Sequence, residues 1–168
     1  MAAGDSAGGQ MSAGLAMALG ERGLPPLRGL VLIYPVLGAD TETASYLRNA
    51  MAPCLTRHEM IYYIESFLGP RGGRNWSDPK ALPNLATDLS GLPPTSITVA
   101  AHDPLCDDGI IFHGKLEKAG IPVAIRVEPA LAHSYMRARH VSAPAMAGFT
   151  AIADAIRHLA HEGALPPS

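Results

Sequence analysis

The residues with the clearest chemical potential lie at the start of the chain, in the run Gly4-Asp-Ser-Ala-Gly-Gly9. This run matches the pattern G-x-S-x-G, in which a serine sits on a tight turn between a strand and a helix and exposes its hydroxyl oxygen. The pattern predicts that Gly4 and Gly8 are both required, because a side chain at either position would crowd the turn. Ser6 is therefore the candidate nucleophile.

A serine hydroxyl is a weak nucleophile at neutral pH, so Ser6 needs a histidine to remove its proton and a carboxylate to orient that histidine. In one known chain order the acid and then the histidine follow the serine, each in a loop after a parallel strand. Asp103 comes directly after a predicted strand at 96–101, and His133 follows another at 123–128. Because parallel strands end at one sheet edge, we expect Asp103 and His133 there.

The other acids and histidines near these strands have simpler interpretations. Asp107 and Asp108 fall at the start of a predicted helix, where carboxylates cap the chain and favour the helix dipole. His102 is expected to point away from Asp103, since neighbouring strand residues face opposite sides of a sheet. The remaining histidines lie in predicted helices or in a basic surface cluster with Arg137 and Arg139, and these are His58, His113, His140, His158 and His161. His133 is thus the favoured base.

The elements that must position these residues alternate between helix-like and strand-like segments. Strands are predicted at 29–34, 96–101 and 123–128, and helices at 7–19, 56–68, 107–119 and after Ser142. This alternation predicts an α/β fold with a parallel sheet of three to four strands flanked by helices, in one domain over residues 1–168. Met1-Ala2-Ala3 is not expected to form a strand, which would leave Ser6 on a flexible terminus.

Two polar, irregular segments at 38–55 and 69–95 interrupt this alternation, and long loops of this kind are often functional. Trp76 lies alone in the second segment and is a candidate for the wall of a substrate pocket. Tyr62 and Tyr63 lie in a predicted helix and are interpreted as packing residues. A sheet of so few strands has open edges, so self-association through an exposed sheet edge is also expected.

The composition limits the classes of function. The chain has 168 residues, 48% of them hydrophobic, and a net charge of −2, so nothing favours binding to nucleic acid or to an anionic membrane. No apolar run is long enough to span a bilayer. The two cysteines, Cys54 and Cys106, have no metal-site spacing and favour reduced thiols in a cytoplasmic protein.

Several motifs together resemble the hormone-sensitive-lipase-like branch of the α/β-hydrolases, which includes bacterial acetyl esterases and related carboxylesterases. The motifs are Gly4-Asp-Ser-Ala-Gly-Gly9, Leu92-Pro-Pro94, Asp103-Pro-Leu-Cys-Asp-Asp-Gly109 and the loop at His133. The resemblance implies Ser6 as nucleophile, Asp103 as orienting acid and His133 as general base. It also implies a small ester of a short acyl group as substrate, and no cofactor or metal.

The chain departs from the family pattern at two places. Ser134-Tyr135 stands where the family has Gly-Phe after the histidine, which makes Tyr135 a candidate for the pocket rim. The family's His-Gly-Gly-Gly motif, which supplies oxyanion-binding amides, is not present, so the backbone N–H of Ala7 is the one oxyanion donor that the sequence offers. The chain therefore reads as the C-terminal portion of the usual fold, with activity expected to be weak or absent alone.

Other functions remain open at this level. The chain could be a non-catalytic remnant of a hydrolase, or an interaction module that docks its open sheet edge on another chain. Within the enzymes, a peptidase is the alternative, because related folds cleave peptides with the same three residue types.

Overall fold

The described residues form a sheet of four parallel strands, whose order in the sheet is their order in the sequence. The computed structural model describes residues 1–166. The strands are β1 (Ala2–Asp5), β2 (Leu30–Ile33), β3 (Thr95–His102) and β4 (Val123–Ala132). The predicted α/β class and parallel sheet are confirmed. The predicted domain over 1–168 extends to residues 167–168, which lie outside the described residues.

Within the described residues, five α-helices connect and cover the strands. They are α1 (Ala7–Glu21), α2 (Ala44–Arg48), α3 (Arg57–Leu68), α4 (Cys106–Lys118) and α5 (Ala143–His161), with short 3₁₀ helices at Arg74–Ser77, Pro83–Leu85 and Tyr135–Ala138. Thr56 caps α3 in a reciprocal arrangement with Glu59, as its spacing predicts, and the Ser142 side chain caps α5. Within residues 1–166, none of the helices combines the length and the apolar character that crossing a membrane requires.

The expectation that Met1-Ala2-Ala3 cannot form a strand is wrong. Residues Ala2–Asp5 pair in register with Leu30–Ile33, and the Ala2 N–H donates to the carbonyl of Gly29 at 3.1 Å. The side-chain pattern of so short a segment carries little signal, because a strand next to a partner is held mainly by its backbone ladder. Ser6 therefore follows an ordered strand.

The sheet is covered on both faces, as a parallel sheet requires. Alternate residues of β2 separate the two layers: Leu30 and Leu32 pack with α1 and α4, whereas Val31 and Ile33 pack with α5. A third apolar cluster lies beyond the carboxyl ends of the strands and joins α3 to the loops around it. β1 and β4 are the outer strands of the described sheet, and self-association through such an edge stays a prediction.

Candidate active site

The turn between β1 and α1 holds Ser6 in a strained backbone conformation, with φ 53° and ψ −120°. A positive φ at a residue other than glycine costs about 1–3 kcal/mol and persists only where the surroundings impose it. Here the Ser6 N–H donates to the Ile33 carbonyl at 2.9 Å, and the Ser6 carbonyl accepts from Val36 at 3.3 Å and from Gly9 at 3.0 Å. The end of β2 and the start of α1 thus fix the serine from both sides.

The three glycines around Ser6 differ in how closely other atoms approach them. A Cβ added at Gly4 would lie 2.1 Å from the Gly8 carbonyl oxygen, and one at Gly9 would lie 2.7 Å from the Pro35 side chain. At Gly8, by contrast, the nearest atom outside the local helix backbone is 4.0 Å away. The prediction that Gly8 is required is therefore wrong, because the space where its side chain would begin is open. At Gly9 that space is filled by the loop after β2.

Ser6, His133 and Asp103 form one continuous line of hydrogen bonds. His133 Nε2 lies 3.0 Å from Ser6 Oγ, and His133 Nδ1 lies 2.7 Å from Asp103 Oδ2. Asp103 is 0% exposed and His133 is 6% exposed. Since an ionised carboxylate only accepts hydrogen bonds, it favours the tautomer in which Nδ1 carries the proton and Nε2 accepts from the serine hydroxyl.

The ends of β3 and β4 bring the acid and the histidine together across the sheet edge. Asp103 follows β3 directly, its Oδ1 accepts from Leu105 N–H at 2.9 Å, and the Asn49 side chain donates to its carbonyl at 3.0 Å. β4 is longer than predicted and ends at Ala132, so His133 is the first residue beyond it. The Tyr34 ring packs edge-on against the imidazole, with centroids 4.9 Å apart. Each group is therefore held on more than one side.

Ser6 and His133 open into a cavity of about 500 Å³. Much of its wall is apolar and comes from the buried stripe of α3 and the loop beyond it, namely Met60, Ile64, Leu68 and Leu82. Ala7 also lines the cavity, and its N–H belongs to the first turn of α1, where a helix leaves its amides without intrahelical acceptors. The cavity therefore joins a polar reacting end to an apolar wall.

Two residues named from the sequence as pocket candidates do not line this cavity. Trp76 Nε1 donates to the Gly69 carbonyl at 3.0 Å, and the indole stacks under Arg71. Tyr135 is buried against Tyr34 on the far side of its 3₁₀ turn. Both aromatic side chains stabilise local structure, because their loops turn them away from the opening.

The assignment of Tyr62 and Tyr63 to helix packing is also wrong. Their side chains are 66% and 52% exposed, and Tyr63 lies at the rim of the cavity. The i, i+4 spacing of Met60, Ile64 and Leu68 already marks the buried stripe of α3. Tyr63 falls beside that stripe, which is the signal that could have placed it at the rim.

Asp108 does more than complement a helix dipole. Its buried Oδ2 accepts from the N–H groups of Leu37 at 2.8 Å and Gly38 at 2.9 Å, and Gly38 lines the cavity. The neighbouring Asp107 accepts from Ser45 N–H at 2.8 Å. Asp108 thus ties the loop after β2 to the start of α4, and Asp107 ties the start of α2 to it. These long-range roles have no signature in local spacing.

Burial raises the pKa of Asp108 to about 7, against the lowering effect of its two backbone donors. A carboxyl with a raised folded-state pKa binds more protons folded than unfolded, so its contribution to stability is lost as the pH rises from about 4 to about 7. We expect wild-type protein to lose stability relative to Asp108→Asn over this interval. Urea midpoints of both proteins at several pH values measure it.

The exposed Asp88, which accepts from Ser90 N–H, supplies a control of opposite sign. That hydrogen bond lowers the pKa of the Asp88 carboxyl. The stability of the wild-type protein relative to Asp88→Asn should therefore increase slightly as the pH rises. A difference in stability between wild type and Asp108→Asn that stays constant between pH 4 and 7 would contradict the assignment.

Among residues 1–166, no cluster of three His, Cys, Asp or Glu side chains is arranged to hold a metal ion.

Comparison with known proteins agrees with this fold. A family model described as the alpha/beta hydrolase fold matches residues 1–137. Carboxylesterase NlhH of Mycobacterium tuberculosis is 40% identical over 138 residues, covering 80% of this chain and 42% of the relative. Ethyl acetate hydrolase of Pseudomonas putida is 30% identical over 155 residues, covering 92% of this chain and 48% of the relative. The solved structure of a bacterial heroin esterase superposes with a TM-score of 0.84 at 31% identity, covering 94% of this chain and 50% of that one.

The chain belongs to the α/β-hydrolase fold family, in the hormone-sensitive-lipase-like branch that its motifs resemble. The relatives that it matches here are esterases and hydrolases by name. The chain spans about half their length, between 42% and 50%.

Proposed function

We propose that this chain is a serine carboxylesterase-type hydrolase that cleaves small esters of short acyl groups through Ser6, His133 and Asp103. The observation that supports it best is the line of hydrogen bonds from the buried Asp103 through His133 to Ser6 Oγ, which lies at the wall of a largely apolar cavity. The names of the relatives support the same class of reaction.

The geometry is suited to acyl transfer in two steps. Ser6 Oγ attacks the ester carbonyl carbon while His133 Nε2 takes the hydroxyl proton, and Asp103 stabilises the resulting imidazolium. The tetrahedral intermediate collapses, the C–O bond to the alcohol breaks, and His133 returns the proton to the leaving oxygen. Water then attacks the acyl-serine by the same route and releases the acid.

The oxyanion formed in each step needs preorganised donors. The Ala7 N–H is the proposed donor, since Ala7 follows Ser6 and begins α1 at the positive end of the helix dipole. Loss of one oxyanion donor typically costs about 10²–10³ in kcat. We therefore expect slow turnover by this chain, in line with the weak activity that the sequence predicts.

The cavity favours small, apolar acyl groups. Its volume is about 500 Å³, and aliphatic side chains make up much of its wall. The name of the Pseudomonas putida relative, ethyl acetate hydrolase, refers to a substrate of this kind. A small-molecule ester is thus the proposed partner, and a cytoplasmic location stays a prediction.

Hydrolysis of 4-nitrophenyl acetate, butyrate and octanoate by the purified chain tests the proposal. We expect turnover that is inhibited stoichiometrically by an organophosphonate ester, with the label found by mass spectrometry on the peptide that contains Ser6. A chain that melts cooperatively but neither turns over nor takes the label supports the non-catalytic alternative. Labelling on a different residue would identify surface reactivity.

A further inference from the structure

The wall of the cavity carries one permanently charged side chain, Arg137, among the described residues that line it. Arg137 lies on the 3₁₀ helix Tyr135–Ala138, directly after the candidate base. In a 3₁₀ helix, residues three apart share a face. Ser134 and Arg137 accordingly both line the cavity, whereas Tyr135 turns into the core. Arg137 is exposed, as the basic surface cluster predicted from the sequence requires, and it also lines the cavity.

The guanidinium of Arg137 has no ion pair with any carboxylate in the part of the chain that the structure describes. Its neighbour Arg139 differs, because it donates to the Met136 carbonyl at 3.0 Å and lies 5.2 Å from the centre of the Phe149 ring. Asp5, the acid next to the nucleophile, faces the Tyr34 hydroxyl at 3.5 Å. Among the described residues, Arg137 is thus an exposed guanidinium without an ion pair at the wall of the cavity.

We propose that Arg137 selects esters that carry a carboxylate away from the scissile bond, by binding that carboxylate at the cavity wall. The inference rests on the proposed function and narrows its substrate class from neutral esters to half-esters of dicarboxylic acids and esters of comparable charge. A guanidinium presents parallel N–H donors that match the two oxygens of a carboxylate. Because Arg137 is exposed, the pairing is that of a solvated ion pair, whose strength depends on the two-pronged geometry.

Arg137 has two simpler roles that a test must separate. Its aliphatic stem can cover apolar surface without any use of the charge. Its charge can also act only through the general field around the cavity. Arg137→Met keeps an unbranched apolar stem and removes the charge, whereas Arg139→Met removes an equal charge nearby that does not line the cavity.

Binding to the non-hydrolysing Ser6→Ala chain tests the inference without the need for turnover. Titrations followed by NMR compare monomethyl adipate, which carries one carboxylate, with neutral dimethyl adipate. We expect the monoanion to bind more tightly than the neutral diester. The ratio of the Kd of the diester to the Kd of the monoanion should fall about fivefold when Arg137→Met is added, the upper range for an exposed ion pair. Arg139→Met should leave the ratio within about twofold of its starting value, and Arg137→Lys should retain part of the preference.

The inference is overturned if the Ser6→Ala chain shows no preference for the monoanion or no saturable binding of either compound. It is also overturned if Arg137→Met and Arg139→Met lower the ratio equally, since the general field would then explain it. Hydrolysis of neutral esters together with an absent preference leaves the proposed function standing and removes this inference. A preference that depends on Arg137 in a chain without ester hydrolysis supports the carboxylate site and contradicts the hydrolase.

Discussion

Ser6→Ala and His133→Ala are each expected to lower kcat for 4-nitrophenyl ester hydrolysis by about 10⁴-fold or more, and the double variant is expected to lose no more than either alone. The reason is the geometry of one proton path. His133 Nε2 and Ser6 Oγ are 3.0 Å apart, so neither residue can activate the reaction without the other. Steady-state rates of the three variants at matched concentration measure the effect.

Exposed residues of the same types provide the controls for this series. Ser90→Ala and His161→Ala make the same chemical changes at exposed positions and should leave kcat unchanged. Multiplied losses in the double variant would show that the two residues act independently. That result would contradict the proposed line of proton transfer even if both single variants were impaired.

Gly4→Ala is expected to lower kcat by about 10²-fold or more, although position 4 bears no reacting group. The added methyl would lie 2.1 Å from the Gly8 carbonyl oxygen and 2.2 Å from the Gly8 carbonyl carbon, both backbone atoms at the start of α1. Strand β1 or helix α1 must shift to admit it, and Ser6 lies between them. We also expect a loss of about 1–3 kcal/mol in the free energy of unfolding, measured by urea denaturation.

Gly8→Ala is the matched control for this substitution, because it adds the same methyl two residues on the other side of Ser6. Its Cβ would meet nothing closer than 4.0 Å outside the local helix backbone. Alanine favours a helix over glycine by about 1 kcal/mol, so Gly8→Ala should retain activity and gain slightly in stability. Equal losses for the two variants would contradict the close approach of β1 and α1 as the reason for glycine at position 4.

The candidate chemistry of the site could be predicted from the sequence because it depends on a short motif and on residues that directly follow predicted strands. Ser6 lies in a motif of six residues, and Asp103 and His133 each follow a strand that its apolar run reveals. Parallel strands end at one edge, so placing the residues in the chain also placed them near one another in space. The same logic predicted the sheet and the caps of α3 and α5.

Features that arise from contacts between distant segments could not be predicted. Strand β1 exists because β2 supplies its ladder. Asp108 accepts hydrogen bonds from a loop 70 residues or more away in the sequence. The position of Arg137 at the cavity depends on a turn whose face only the folded chain defines. Trp76 and Tyr135 have aromatic character suited to a pocket, but their loops turn them elsewhere. Side-chain direction in irregular segments is decided by packing and not by local preference. Residue types and their order along the chain therefore determined the candidate chemistry, whereas tertiary packing decided which side chains reach the cavity.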